Sequence, residues 1–252
     1  MVPAKMLEYT MIINGHLKEG GNTVRVLFLG RSDCDATQKC LTHLKTLGCQ
    51  IKFVPSLARG EGLPEDIRCW HGDYIFCFRS LLVLPTWLIN KAKIAAVNFH
   101  PAPVDYPGSG CINFALFDGV KQYGVTAHVM NEKVDNGPVL ECRRFPILPL
   151  DSVDTLLART HLKLVDLFFD VVTDLVIGGK DSLINKINNS SNESWRGAAT
   201  KMKDLEKLSV VPVNISEEAL ERLIKATYTK KFPPYISIFG YRFSLNSPNK
   251  TI

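Results

Sequence analysis

The sequence predicts an α/β protein with a mostly parallel sheet, followed by a small helix-and-hairpin subdomain. Three observations carry that expectation. Apolar runs of strand length (24–30, 50–54, 73–78 and the run ending at Asn98) alternate with segments of helical spacing, the pattern of right-handed βαβ units. Residues 151–177 repeat Leu156, Leu157, Leu164, Leu167, Phe168 and Val171 as one helical stripe. Apolar residues alternate around Gly240 between Tyr235 and Leu245, as in a hairpin. Residues 1–184 are therefore read as one catalytic-sized domain, and 185–252 as a linker and small subdomain.

Each element has a local reason. Residues 6–13 suit an edge strand. The strand 24–30 closes on Gly30, Asp33 or Asp35 caps a helix carrying Leu41, Leu44 and Leu47, and Gly48 stops it. Pro64 suits a first helical position, and 85–89 reads as a short helix. Residues 111–117 form another, ended by Gly119. From 123 to 130, Val125, Ala127 and Val129 alternate with Thr126 and His128, a half-buried strand. A strand follows at 139–142. Gly178 and Gly179 stop the long helix, and 185–198, with Asn188-Asn189-Ser190-Ser191-Asn192, reads as a mobile linker. Ser216 caps a helix reaching Tyr228, with Glu217 and Glu218 at its positive end.

Composition narrows the function classes. The chain has 252 residues, 46% hydrophobic and 22% charged, ordinary for a soluble globular protein. A net charge of +5 without a Lys/Arg block suits anionic small molecules and argues against a nucleic-acid partner. Seven cysteines include no C-x-x-C pair, which argues against a zinc site, and no other metal set is read. Unpatterned thiols suit a reducing compartment. No leader and no apolar run of membrane length are read, so the expectation is a cytoplasmic protein.

The stretch 97–110 is where chemistry is expected. Asn98 and His100 lie two apart at a strand end, so their side chains share one face. Three prolines and two glycines within the next ten positions force an irregular loop. In a parallel sheet, ligands bind beyond the carboxyl ends of the strands; Arg79 and His100 both sit at such ends. Asp135 lies in a loop just before the Gly137-Pro138 bend. Alone, it is as readily a turn former, and a Pro-rich turn needs no chemistry. Together, an amide, an imidazole and a carboxylate match transfer of an acyl group to an amine. The amide donates to the developing oxyanion, and the other two handle protons.

Asn98-x-His100-Pro101, Tyr106-Pro107-Gly108, Tyr123-Gly-Val-Thr-x-His128 and Asp135-x-Gly137-Pro138-Val139-Leu140 together resemble the 10-formyltetrahydrofolate-dependent formyltransferases. The resemblance is clear over residues 70–170 and looser over 24–70. It implies a Rossmann-like formyltransferase domain, N10-formyltetrahydrofolate as cosubstrate, a homodimer, and Asn98, His100 and Asp135 as catalytic residues. It also implies that the backbone of Phe78, Arg79, Ser80 and Leu81 reads the pterin edge, and that loop 131–135, with Val134, closes over it. Asp33 and Asp35 after the first strand disfavour a phosphorylated acceptor of the glycinamide ribonucleotide type. The short tail most resembles the sugar N-formyltransferases, whose acceptor is a nucleotide-linked, often dTDP-linked, amino-dideoxy sugar such as 4-amino-4,6-dideoxyglucose. Residues 102–106 depart from the commonest motif of those enzymes. Tyr106, Trp195 and Arg196 are candidate acceptor contacts, Trp195 by stacking on a base and Arg196 by pairing a diphosphate. Methionyl-tRNA formylation, hydrolysis of formyl-folate and a non-catalytic folate- or nucleotide-sugar-binding module are the alternatives.

Overall fold

The computed structural model describes residues 23–247; the expected strand at 6–13 lies outside them. Six strands form the main sheet: β1 (Arg25–Arg31), β2 (Gln50–Ser56), β3 (Gly72–Phe78), β4 (Ala92–His100), β5 (Gln122–Val129) and β6 (Val139–Pro146). Their order is β2-β1-β3-β4-β5-β6. The first four run parallel, and β5 and β6 continue antiparallel. The helices are α1 (Asp35–Thr46), α2 (Thr86–Ile89), α3 (Cys111–Asp118), α4 (Val153–Asn189), α5 (Met202–Leu208) and α6 (Glu217–Thr227), with a 3-10 turn at Glu65–Cys69. The hairpin β7 (Tyr235–Ile238) and β8 (Tyr241–Ser244) makes a second, two-stranded sheet. Its turn places Phe239 and Gly240 at φ 49 and 85, the left-handed pair a tight hairpin requires. The chain leaves β1 for β2 on one side and returns to β3 on the other. That reversal opens a crevice at the carboxyl edge between β1 and β3.

The central strands are continuous apolar runs because both faces are covered. Phe168 of α4 packs against Phe28, Phe76, Phe78 and Phe99, with ring centroids 4.6 to 6.1 Å apart. Truncating such a ring to alanine costs about 3–5 kcal/mol. The opposite face is covered more thinly, by Ile67, Trp70, Leu82, Leu84 and Leu88.

Four expectations need correction. The Gly178-Gly179 pair does interrupt the helix, as expected: Gly179 is non-helical at φ 57, ψ −137, but a second helical stretch resumes beyond it and runs to Asn189, where a linker was expected. Leu183 and Ile187 beyond the kink pack on the core, which offsets the roughly 1 kcal/mol each glycine costs a helix. Residues 185–189 are thus helical, and the expected boundary at 184 falls inside α4. Asp33 and Asp35 do not cap α1; Cys34 occupies that position without a side-chain cap. β5 is buried on both faces: Thr126 and His128 are as enclosed as Val125 and Ala127, and the Thr126 hydroxyl donates to the Ala102 carbonyl at 2.8 Å. Helix α5 was not expected: it is only seven residues long and buries no side chain. Among the described residues no helix is long and apolar enough to cross a membrane.

Candidate active site

The antiparallel pairing of β4 and β5 sets Asn98 directly opposite His128, with His100 two residues further along the same face. Loop 130–138 then carries Asp135 over the strand ends. Asp135 adopts φ 44, a left-handed conformation that Asp tolerates better than most residues. Its carboxylate has four polar partners. Oδ2 lies 3.3 Å from His100 Nδ1 and accepts from the Gly108 N–H at 2.8 Å; Oδ1 lies 3.3 Å from His128 Nε2 and 3.3 Å from Asn98 Nδ2. The expected amide, imidazole and carboxylate therefore converge, and His128 joins them.

The second nitrogen of His100, Nε2, faces the Tyr106 carbonyl at 2.9 Å. Both ring nitrogens thus look at acceptors, which only a doubly protonated ring satisfies. Burial alone would depress the His100 pKa, but the Asp135 carboxylate, the Cys111 sulfur and the Tyr106 carbonyl outweigh it and raise the pKa to about 9. For Asp135, burial pushes upward, yet the His100 charge and the contacts from His128 and Gly108 lower its pKa to about 2. The pair is a buried imidazolium–carboxylate.

Asn98 is the half-exposed member of the cluster. Its Nδ2, His128 Nε2 and Asp135 Oδ1 form a near-equilateral triangle, 3.2 Å and 3.3 Å from the amide. The amide nitrogen thus has two polar neighbours inside the cluster, while the side chain as a whole keeps part of its surface open.

The pH response of stability follows from the two shifts. The His100 contribution is complete below its ordinary 6.5 and is lost as pH rises towards about 9. The Asp135 contribution is complete above its ordinary 3.8 and is lost as pH falls towards about 2. The thermal-midpoint advantage of the wild type over the Asp135→Asn/His100→Gln double variant should be largest between pH 3.8 and 6.5 and shrink on both sides. A flat difference from pH 4 to 9 would contradict the paired assignment.

The segment 190–200 crosses both loops like a strap. Trp195 Nε1 donates to the Gly137 carbonyl at 2.8 Å, and its ring stands edge-on to His128 and His100, centroids 4.9 and 5.7 Å away. The Arg196 N–H donates to the Val104 carbonyl at 3.0 Å, and its guanidinium pairs with Asp105 at 3.1 Å. Thr200 bridges Gly108, and an added Cβ on that glycine would meet the Thr200 carbonyl at 2.3 Å. The expected mobile linker is therefore tied down here. Trp195 packs edge-on to the histidines, and Arg196 pairs with Asp105 while its side chain stays largely exposed. Tyr106 donates its hydroxyl to Asp118 at 3.0 Å, and what it offers the centre is its backbone carbonyl.

The expected donor-binding residues divide. A cavity of about 380 Å³ beside the Asp135 loop is lined by Thr86, Ile89, Asn90, Met130, Asn131 and Lys133, among others. Val134 is exposed at the tip of that loop. Phe78 is sealed in the core, so only its backbone is open to a ligand. The Leu81 N–H already donates to Ser56 Oγ at 3.0 Å, the Ser80 hydroxyl accepts from the Leu82 N–H at 3.2 Å, and Arg79 turns to Cys34. None of these four lines the cavity. His128 was missed as a site residue because strand alternation read it as a solvent-facing position. The signal was its two-residue spacing from Thr126 in the Tyr-Gly-Val-Thr-x-His motif.

A doubly wound sheet bearing a partly exposed amide before a buried imidazolium–carboxylate pair defines a class equipped to hold an oxyanion and keep a proton at hand. The family model for formyl transferase matches residues 26–172, and the chain belongs to that family. A methionyl-tRNA formyltransferase of Pediococcus pentosaceus is 36% identical over 127 residues, 50% of this chain and 40% of that one. The chain thus spans well under half the length of this curated relative. A sugar N-formyltransferase structure from Shewanella overlays with TM-score 0.68 at 17% identity, covering 90% of this chain and 98% of that one. The Helicobacter canadensis N-formyltransferase, in complex with folinic acid and dTDP-3-aminofucose, overlays with TM-score 0.62 at 13% identity, over 88% and 86% of the two chains. At such identities the structural likeness is one of fold.

Proposed function

We propose that the protein transfers a formyl group from N10-formyltetrahydrofolate to the amine of a nucleotide-linked, dTDP-linked, amino-dideoxy sugar. The observation that carries this reading is the convergence of the partly exposed Asn98 amide on the His100–Asp135 pair. The donor supplies an electrophilic carbonyl carbon on a nitrogen leaving group. Asn98 Nδ2 donates to the carbonyl oxygen as charge develops, an effect worth about 10²–10³ in rate. The His100 charge lies behind it in a water-poor site, where it favours the same oxyanion. Asp135 Oδ1 is the base nearest that amide and receives the amine proton. His100 is the proton store for the departing nitrogen, and it must release the Tyr106 carbonyl to deliver. In this reading the donor's ring lies in the cavity beside Asn131 and Lys133, whose lining includes the amides of Asn90 and Asn136 and the hydroxyl of Thr86. The sugar acceptor is supported by the overlay of 98% of the Shewanella sugar N-formyltransferase. Seven free cysteines suit a cytoplasmic enzyme, and a homodimer belongs to the same reading.

The curated likeness to a methionyl-tRNA formyltransferase favours a second reading, transfer to an aminoacyl-tRNA. One assay separates them. Tetrahydrofolate release is followed with formyl-folate alone, with dTDP-amino sugars and with methionyl-tRNA. Release that needs an amino sugar supports the proposal. Release without any amine makes the protein a hydrolase, and release only with the tRNA transfers the assignment there.

A further inference from the structure

Asp135 is held from two directions, and the segment 190–200 stands behind both. The Gly108 N–H donates to Asp135 Oδ2 at 2.8 Å from a backbone at φ 95. Thr200 clamps that turn. Its N–H donates to the Pro107 carbonyl at 3.0 Å, its hydroxyl donates to the Ser109 carbonyl at 2.6 Å, and its own carbonyl accepts from the Ser109 N–H at 2.9 Å. From the other direction, Gly137 ends the loop that carries Asp135. Its backbone lies so close to β5 that an added Cβ would meet the Val129 carbonyl at 1.9 Å. Trp195 Nε1 donates to the Gly137 carbonyl, the kind of partner a packed indole N–H takes. The same indole makes T-shaped contacts with the His128 and His100 rings, which are 2% and 3% exposed. The segment is pinned at its start, where the Ser190 hydroxyl donates to the Leu140 carbonyl at 2.8 Å and Glu193 pairs with Arg144. Asp135 itself holds φ 44, a backbone that persists only where its surroundings over-determine it. The tethers at Gly108 and Gly137 are those surroundings.

We propose that Trp195 and Thr200 are positioning residues for the His100–Asp135 pair, acting through Gly137 and Gly108 on the two sides of the Asp135 carboxylate. Trp195 keeps the Gly137 end of the loop down over the strand ends and packs the two imidazoles from outside. Thr200 keeps the Gly108 N–H aimed at Oδ2. Residues 190–200 lie beyond the matched span 26–172, so the family match itself assigns them no part in the reaction. What the pair does chemically rests on the formyl-transfer reading; how the pair is held does not. Without the two tethers the carboxylate is free to leave its 3.3 Å contacts with His100 Nδ1 and Asn98 Nδ2. The imidazolium then loses its counter-charge and the amide loses its orientation together. A misplacement of about 1 Å, arising away from the reacting atoms, costs about 10²-fold in rate. A plain brace would act differently: its loss would lower the melting point and leave the His100–Asp135 contact as it is.

The test reads the His100 ring directly and needs no formyl transfer. The full chain is labelled at histidine, and the His100 imidazole is titrated by NMR in the wild type, Trp195→Phe, Trp195→Ala and Thr200→Val. Asp135 and Cys111 are the titratable groups that face this ring, with His128 across the carboxylate. In the wild type the midpoint stands near 9. Trp195→Ala should bring it down by about one unit, a tenfold loss in proton affinity. Trp195→Phe keeps an aromatic ring but not the N–H, and should fall between alanine and wild type. Thr200→Val keeps the backbone contacts and loses the hydroxyl, and should also lower the midpoint. In the activity assay kcat should follow the same order, with Trp195→Ala about 10²-fold down. Shifted midpoints in a chain that transfers no formyl group support the positioning role and count against the formyl-transfer reading alone. A His100 midpoint unmoved in Trp195→Phe and Thr200→Val, whatever happens to their melting points, would overturn the proposal.

Discussion

His100→Ala should lower formyl transfer about 10²–10⁴-fold and melt well below the wild type. The second effect follows from what the substitution leaves behind. The Asp135 carboxylate is buried, and His100 is the charge that compensates it at 3.3 Å. Removing one partner of a buried pair costs about 3–5 kcal/mol, because the other charge stays enclosed. At about 2–4 °C per kcal/mol for a chain of this size, the loss is plain in a thermal scan. The discriminating comparison is His100→Ala/Asp135→Asn. Neutralising the stranded carboxylate should recover part of the stability and none of the activity. If the double variant melts no higher than His100→Ala alone, the buried ion pair is wrongly assigned.

That pair was legible in the sequence for a local reason and hidden for a tertiary one. Strand periodicity alone puts Asn98 and His100 on one face. The Gly137-Pro138 bend marks the loop that brings Asp135 over them. His128 was obscured because alternation along β5 reads as one wet face. The second face is dry only because the strap from Ser190 to Thr200 and the loop after β4 cover it. The strap itself has no periodic signal: its Asn/Ser-rich start resembles a free linker, and its order comes from hydrogen bonds to Val104, Pro107, Ser109 and Gly137. The same logic explains α4. A glycine pair is a strong local stop, and only the packing of Leu183 and Ile187 beyond it shows why the helix resumes. The sheet was readable throughout, since each central strand is an unbroken apolar run between turn residues.

Asn98→Ala should separate chemistry from folding more cleanly than any change at His100. Asn98 is half-exposed and neutral, so its loss strands no charge. The remaining Asp135 contacts, to His100, His128 and Gly108, persist. Stability should therefore move by about 1 kcal/mol, the worth of one hydrogen bond. Turnover should fall about 10²–10³-fold, with KM for the formyl donor nearly unchanged, because the donated N–H matters most once the oxyanion forms. Asn98→Asp should be worse on both counts. It replaces a donor with a carboxylate 3.3 Å from Asp135 Oδ1, and two carboxylates that close cannot both ionise without cost. The second proton they take up should appear as a new acidic limb in the pH–rate profile, absent from the alanine variant. Equal activity of the alanine and aspartate variants, or an alanine variant within a few-fold of wild type, would remove Asn98 from the oxyanion role and leave the imidazolium to carry it alone.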